Sequence, residues 1–163
     1  MDDLQSLSGF RGVSLLFPDG PPETPRPVPR RDTKSIGDRS EIEVMAALIR
    51  HGYLISIPYG ENHRYDLLAD DGTSIARVQV KTGRLLPSGS ITFNCYSSHH
   101  HRGGPCRSYI GEVEYVAVYC PQLDKVYLIP EADLNRTKVY LRVEPTVNGQ
   151  SKNVRWARAY ELL

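Results

Sequence analysis

Three observations predict an α/β fold with a mixed sheet. Apolar residues recur at helical spacing only once early in the chain, at Val44, Met45, Leu48 and Ile49. Beyond Gly52 the pattern changes to short β-rich runs with period two, divided by turn residues. The resulting order is one helix, three strands, then further strands with little helix, which suits a sheet with both parallel and antiparallel neighbours.

The elements follow in order. Residues 1–31 are expected to form a disordered Pro-rich tail, because Pro18, Pro21, Pro22, Pro25, Pro27 and Pro29 leave no apolar period intact. A single domain is expected over residues 32–163. Its helix should start at a Thr33 or Ser35 cap and run to about His51, with Gly52 as the stop. Strands are expected at Tyr53–Ile57, Arg64–Ala69 and Ile75–Lys81, the last two joined as a hairpin by Asp70-Asp71-Gly72-Thr73. Further strands are expected at Ser90–Tyr96, Glu114–Cys120, Lys125–Ile129 and Lys138–Val143. One helical turn is expected at Glu131–Leu134, and a closing helix at Arg155–Leu163 with Trp156 and Tyr160 on one face.

Composition narrows the function classes. The 163 residues are 40% hydrophobic and 24% charged, as in ordinary globular domains. No apolar run is long enough to span a bilayer, and with Met1-Asp2-Asp3 at the start no secretory signal is expected. Cys95, Cys106 and Cys120 lack a disulfide framework spacing, so reduced thiols in a cytoplasmic protein are expected. The net charge of +1 hides an asymmetry, for no acidic residue occurs between Asp71 and Glu112. That window holds Arg77, Lys81, Arg84, Arg102 and Arg107 with His99, His100 and His101. It makes either a positive surface or a stretch over which acids from elsewhere fold.

The chemistry-bearing residues lie in the helix and the hairpin. Glu41 precedes Val44, Met45 and Leu48 by three, four and seven positions and so shares their apolar face, whereas Glu43 falls on an outer one. A carboxylate on a buried face needs a cation or a proton. Favouring the helix dipole from the first turn is the structural alternative. In the third strand Gln79 and Lys81 share a face, and a turn of about four residues would set Asp66 opposite Gln79, a register that the sequence does not fix. The structural alternative here is an Asp66–Lys81 ion pair, which adds little net stability when buried. As a functional set, Asp66, the Gln79 amide oxygen, the Val80 carbonyl and Glu41 offer the hard oxygens that Mg²⁺ takes, with Mn²⁺ expected to substitute. Lys81 would stabilise hydroxide and transition-state charge in phosphodiester hydrolysis by a metal-activated water.

These residues carry a family resemblance. Gly37-Asp38-Arg39-Ser40-Glu41, His51-Gly52-Tyr53, Pro58-Tyr59-Gly60-Glu61-Asn62, Arg64-Tyr65-Asp66-Leu67-Leu68 and Arg77-Val78-Gln79-Val80-Lys81-Thr82 resemble the PD-(D/E)XK nucleases. The likeness spans roughly residues 34–163 and is sharpest over residues 37–82. It is nearest to the group I intron homing endonuclease branch and its free-standing prokaryotic relatives, and archaeal Holliday junction resolvases share the core order. Tyr65 stands where the superfamily has Pro, and Gln79 where it usually has Asp or Glu; the homing branch also has Gln there. The resemblance implies a restriction-endonuclease-like fold, a mixed sheet flanked by helices, and a divalent-metal phosphodiesterase.

DNA contacts are expected from Arg77, Thr82 and Arg84 around the catalytic strand and from Asn94, Ser97, Ser98, His99, His100, Arg102 and Arg107 in the following loop. The Cys and His spacing in that loop matches no common zinc pattern. The basic residues Lys138, Arg142, Lys152, Arg155 and Arg158 extend the footprint or form a solvated face. The expected substrate is duplex or branched DNA, cut by a homodimer or higher homo-oligomer, since cutting both strands takes two sites. The alternatives are a structure-specific, junction-resolvase-like nuclease and a DNA-binding module of the same fold with impaired cleavage.

Overall fold

The computed structural model describes residues 32–60, 63–97, 106–145, 149 and 152–162. The expected Pro-rich tail lies outside them, as do Ser98, His99, His100 and Arg102.

Helix α1 (Thr33–Arg50) is capped by Asp32, whose carboxylate accepts the Ser35 N–H at 2.7 Å. That bond holds the Asp32 carboxyl below the usual carboxylate range. The expected caps, Thr33 and Ser35, therefore fall inside the first turn; Asp32 accepts from the donor three residues on, as a helix start favours. The helix stops where Gly52 takes a left-handed φ of 85°.

The strands are β1 (Leu54–Ser56), β2 (Leu67–Asp70), β3 (Ile75–Thr82), β4 (Arg84–Leu86), β5 (Ser90–Asn94), β6 (Tyr96–Ser97) and β7 (Arg107–Ser108). There follow β8 (Tyr115–Cys120), β9 (Lys125–Pro130), β10 (Lys138–Arg142) and β11 (Glu161–Leu162). Six of them form a central sheet in the order β1-β2-β3-β8-β9-β11, in which β3 and β8 run parallel and the other pairs antiparallel. A second sheet has the order β10-β5-β4, and β6 pairs with β7.

Two hydrophobic cores follow from the period-two alternation. Val78, Val80, Ala117 and Tyr119 face α1 and pack on its Val44, Ala47 and Leu48. Val116, Val118, Tyr127 and Ile129 face the other way and pack on Ile91, Phe93, Val139 and Leu141 of the second sheet. Truncating a fully enclosed residue such as Leu48 to Ala costs about 2–5 kcal/mol in such a core. Among the described residues α1 is the one α-helix, so the far face of the mixed sheet is covered by strands where flanking helices were expected.

Gly83 makes the passage from β3 to β4 possible. Its N–H donates to the Tyr119 carbonyl at 2.7 Å, and a Cβ there would lie 2.8 Å from methyls of Ile91 and Val118. Among the described residues the expected closing helix does not form. Ala157–Ala159 make one 3-10 turn, and Glu161–Leu162 pair with β9. The Arg142 N–H takes the Arg155 carbonyl and the Leu128 N–H takes the Tyr160 carbonyl, so ladder bonds claim groups that a helix would use.

Candidate active site

The β2–β3 hairpin sets the site. The Asp71 carboxylate closes its turn by accepting from the backbone and hydroxyl groups of Thr73 and Ser74. The pairs Leu67↔Val78, Leu68↔Arg77 and Ala69↔Ala76 fix the register. Asp66 lies just before β2, and its N–H donates to the Val78 carbonyl at 2.9 Å. Its carboxylate accepts from the Val80 N–H at 2.8 Å and from the Gln79 amide nitrogen. Asp66 and Gln79 thus meet side chain to side chain.

Gln79 is buried, with its amide nitrogen between two oxygens, those of the Asp66 carboxylate and the Val80 carbonyl at 3.3 Å. Lys81 follows on the same face of β3, and its ammonium lies 4.8 Å from the ring centre of the enclosed Tyr109. Glu41 is half-buried on α1, two turns before the enclosed Leu48.

The electrostatics mark this group as short of positive charge. Burial pushes the Asp66 carboxyl above its ordinary range against the opposing pull of the Val80 N–H, Lys81 and Gln79. Burial also raises Glu41, and the charges of Asp66 and Asp38 raise it further, with Lys81 opposing. Carboxylates raised by burial, one of them also by the charge of the other, are what a divalent cation relieves. The donor set, all oxygens, fits a hard divalent cation. The Gln79 amide group bridges the carboxylate and carbonyl oxygens that a cation would share, and rotating that amide by half a turn brings its own oxygen to the same place. Among the described residues no group of three Asp, Glu, His or Cys side chains converges, so the set consists of two carboxylates, an amide and a carbonyl.

The other expected contact residues are distributed differently. The Arg77 guanidinium is held by Glu114 at 2.6 Å, and Arg107 pairs with Glu112. Acids from just beyond the acid-free window thus fold over part of it. The Thr82 hydroxyl is 2.7 Å from that of Ser40 on α1, and the Ser97 hydroxyl accepts from Arg64 at 2.6 Å. Arg84 and Asn94 are exposed on the second sheet.

Sequence reasoning missed Arg64, Tyr109 and Glu112. The Arg64 guanidinium lies 4.7 Å from the centre of the Tyr109 ring, so this ring serves two cations. Arg64 also bonds Glu112 and the Ser108 carbonyl, tying the start of β2 to the β6–β7 ribbon. The one available signal was Arg64 itself, two residues before Asp66; nothing local pointed to a tyrosine more than forty positions later.

Comparison with known proteins bears on the family and the fold. A family model described as PD-(D/E)XK endonuclease matches residues 31–163. No curated protein matches. The solved structure of a bacterial homing endonuclease, I-Ssp6803I, is similar with a TM-score of 0.66 and 19% identity, over 80% of this chain and 89% of that one. Hjc, a Holliday junction resolvase from Archaeoglobus fulgidus, matches with a TM-score of 0.46 and 18% identity, over 64% of this chain and 84% of that one. The homing endonuclease's likeness is one of fold, and it agrees with the mixed α/β architecture expected from the sequence. With the family model covering the whole described region, this chain belongs to the PD-(D/E)XK endonuclease family.

Proposed function

We propose that the protein is a divalent-metal-dependent DNA endonuclease that hydrolyses phosphodiester bonds through a metal-activated water. The observation that carries the reading is the meeting of Asp66, Gln79 and the Val80 carbonyl next to Lys81, with Glu41 electrostatically coupled to them, in a chain of this family. Glu41, Asp66, Gln79 and the Val80 carbonyl would hold Mg²⁺, with Mn²⁺ substituting. Bound there, the ion supplies Lewis-acid polarisation and a water of lowered pKa. Asp66 is oriented for its part by the Val80 N–H, so its carboxylate does not rotate away. Lys81 presents an ammonium to the charge that builds on the phosphoryl oxygens, and the Tyr109 face keeps that ammonium at the site. A homodimer or higher oligomer would bring two such sites to the two strands.

A second reading, a DNA-binding module with impaired cleavage, draws support from the neutral Gln79 amide in place of a third carboxylate. Incubation with supercoiled plasmid and with a four-way junction, in Mg²⁺, Mn²⁺ or chelator, separates the two. Metal-dependent nicking that disappears in Asp66→Asn and Lys81→Ala is the expected outcome. Salt-dependent binding without any cleavage would establish the second reading instead.

A further inference from the structure

The second sheet has an outer face that the catalytic group does not use. On β4, β5 and β10 the residues Ile91, Phe93, Val139 and Leu141 point into the core, so the alternate positions point out. The registers set Arg84, Thr92 and Tyr140 in one row across the three strands. Asn94 and Lys138 form the next row, and Arg142 lies opposite Ser90 in the row on the other side. No Asp or Glu occupies an outward position on these strands. The Arg142 guanidinium is fixed by the carbonyls of Glu144 and Pro145 and the Ser90 hydroxyl, contacts that orient its charge without neutralising it. Tyr140 is 53% exposed, an aromatic plate set among cations. Arg77 and Arg107, by contrast, are neutralised by carboxylates.

The face is also joined to the candidate site through the chain. The strand carrying Gln79 and Lys81 passes through Gly83 directly into β4, so Arg84 stands three residues, roughly 10 Å of extended chain, beyond Lys81. Three strands make a platform about 10 Å wide and roughly 17 Å long, a fit to a major groove about 12 Å across.

We propose that this outer face is the surface on which duplex DNA lies. Arg84 and Lys138 neutralise backbone phosphates, while Asn94 and Tyr140 rest on the groove between them. The Thr92 hydroxyl lies enclosed in the row with Arg84 and Tyr140, without a hydrogen-bond partner among the described residues. This assignment rests on the endonuclease reading and names where its substrate is held.

The test is binding of the full chain to a mixed-sequence linear duplex in chelator, measured across a salt series, beside cleavage of plasmid in Mg²⁺. The variants are Arg84→Ala with Lys138→Ala, Tyr140→Ala alone, and Arg50→Ala on the helix layer as a control, each checked for a wild-type melting profile. Loss of two phosphate contacts lowers the slope of log affinity against log salt by about two and weakens binding at low salt about ten-fold or more. Tyr140→Ala weakens binding with the slope unchanged, and Arg50→Ala leaves both unchanged. A double variant with the wild-type slope overturns the face while wild-type cleavage keeps the endonuclease. A wild type with neither salt-dependent binding nor cleavage overturns both. Tighter binding to single strands than to duplex, lost in Tyr140→Ala, overturns the duplex assignment.

Discussion

Two groups of acidic residues in this molecule are treated in opposite ways. Glu112 and Glu114 sit in guanidinium clamps: Glu112 between Arg64 and Arg107, Glu114 against Arg77. Burial works against Glu112, yet the bonds from both arginines outweigh it and hold its carboxyl below the usual range. The Arg77 bonds do the same for Glu114. Glu41 and Asp66 have Lys81 as their cation and are both pushed up. The clamps are electrostatically complete and hold loops in place. Glu41 and Asp66 have no such clamp, and carboxyls raised in this way are of the kind that cluster at functional sites.

The largest effect comes from breaking the unclamped pair. Asp66→Asn and Lys81→Ala are each expected to slow single-turnover plasmid cleavage by about two to three orders of magnitude, as loss of one preorganised electrostatic group does. Glu41→Gln should abolish cleavage too, yet raise the melting temperature in chelator, because it removes a repelling charge from beside Asp66. A melting temperature that drops in chelator would show that Glu41 is a structural carboxylate.

Breaking a clamp should do the reverse. The Arg64 and Glu112 side chains are only 16% and 20% exposed, so Glu112→Ala leaves an enclosed guanidinium without its carboxylate. A loss of about 1–3 kcal/mol is expected, read as a fall of several degrees in melting temperature. Arg39 and Glu43 make the matched control. They meet at 3.9 Å on the exposed side of α1, and Arg39→Ala should move stability by no more than about 0.5 kcal/mol. Equal effects at the two pairs would dissolve the contrast between clamp and surface.

Tyr109 joins the two regions, with Arg64 of the clamp and Lys81 of the site near its ring. Tyr109→Phe keeps the ring and is expected to keep cleavage. Tyr109→Leu keeps apolar bulk but loses the π face, which contributes about 0.5–2 kcal/mol, so kcat should fall roughly two- to thirty-fold with KM little changed. A loss confined to KM would move Tyr109 from positioning Lys81 to holding DNA.

These assignments differ in how far they could be read from sequence. The hairpin was legible from its turn residues, but the register that brings Asp66 to Gln79 was left open by the sequence and is fixed by the pairing of Leu67 with Val78. Glu41 was legible because helical spacing ties it to Val44 and Leu48. Tyr109 and Glu112 were not, because they reach the site through the β6–β7 ribbon and pairings across forty or more residues, which no local period encodes. The C-terminal segment misled for a related reason. Trp156 and Tyr160 stand four apart, as on a helix face, but the N–H groups of Arg142 and Leu128 capture the carbonyls of Arg155 and Tyr160 first. The division into two sheets was hidden as well, since it depends on Gly83 fitting where the methyls of Ile91 and Val118 leave no room for a Cβ.

The smallest expected effect is a pH profile with opposed arms. Glu112 and Glu114 have folded-state values below their unfolded ones. Their stabilisation is complete above the unfolded value of roughly 4.3 and is lost as pH falls through the folded values. Glu41 and Asp66 have folded-state values above their unfolded ones, so each destabilises the chelated protein once pH exceeds its folded value, and that penalty disappears as pH falls toward the unfolded value. In chelator, melting temperature should therefore rise as the solution is acidified from neutrality toward the unfolded carboxylate range, then fall below it. Glu112→Gln should flatten the acid arm and Glu41→Gln the neutral one. Saturating Mg²⁺ should remove the neutral arm alone, because a bound cation makes the charged forms of Glu41 and Asp66 the favoured ones. A neutral arm that persists in Mg²⁺ and vanishes in no active-site variant would place the pH dependence outside this pair and remove the electrostatic argument for a cation between them.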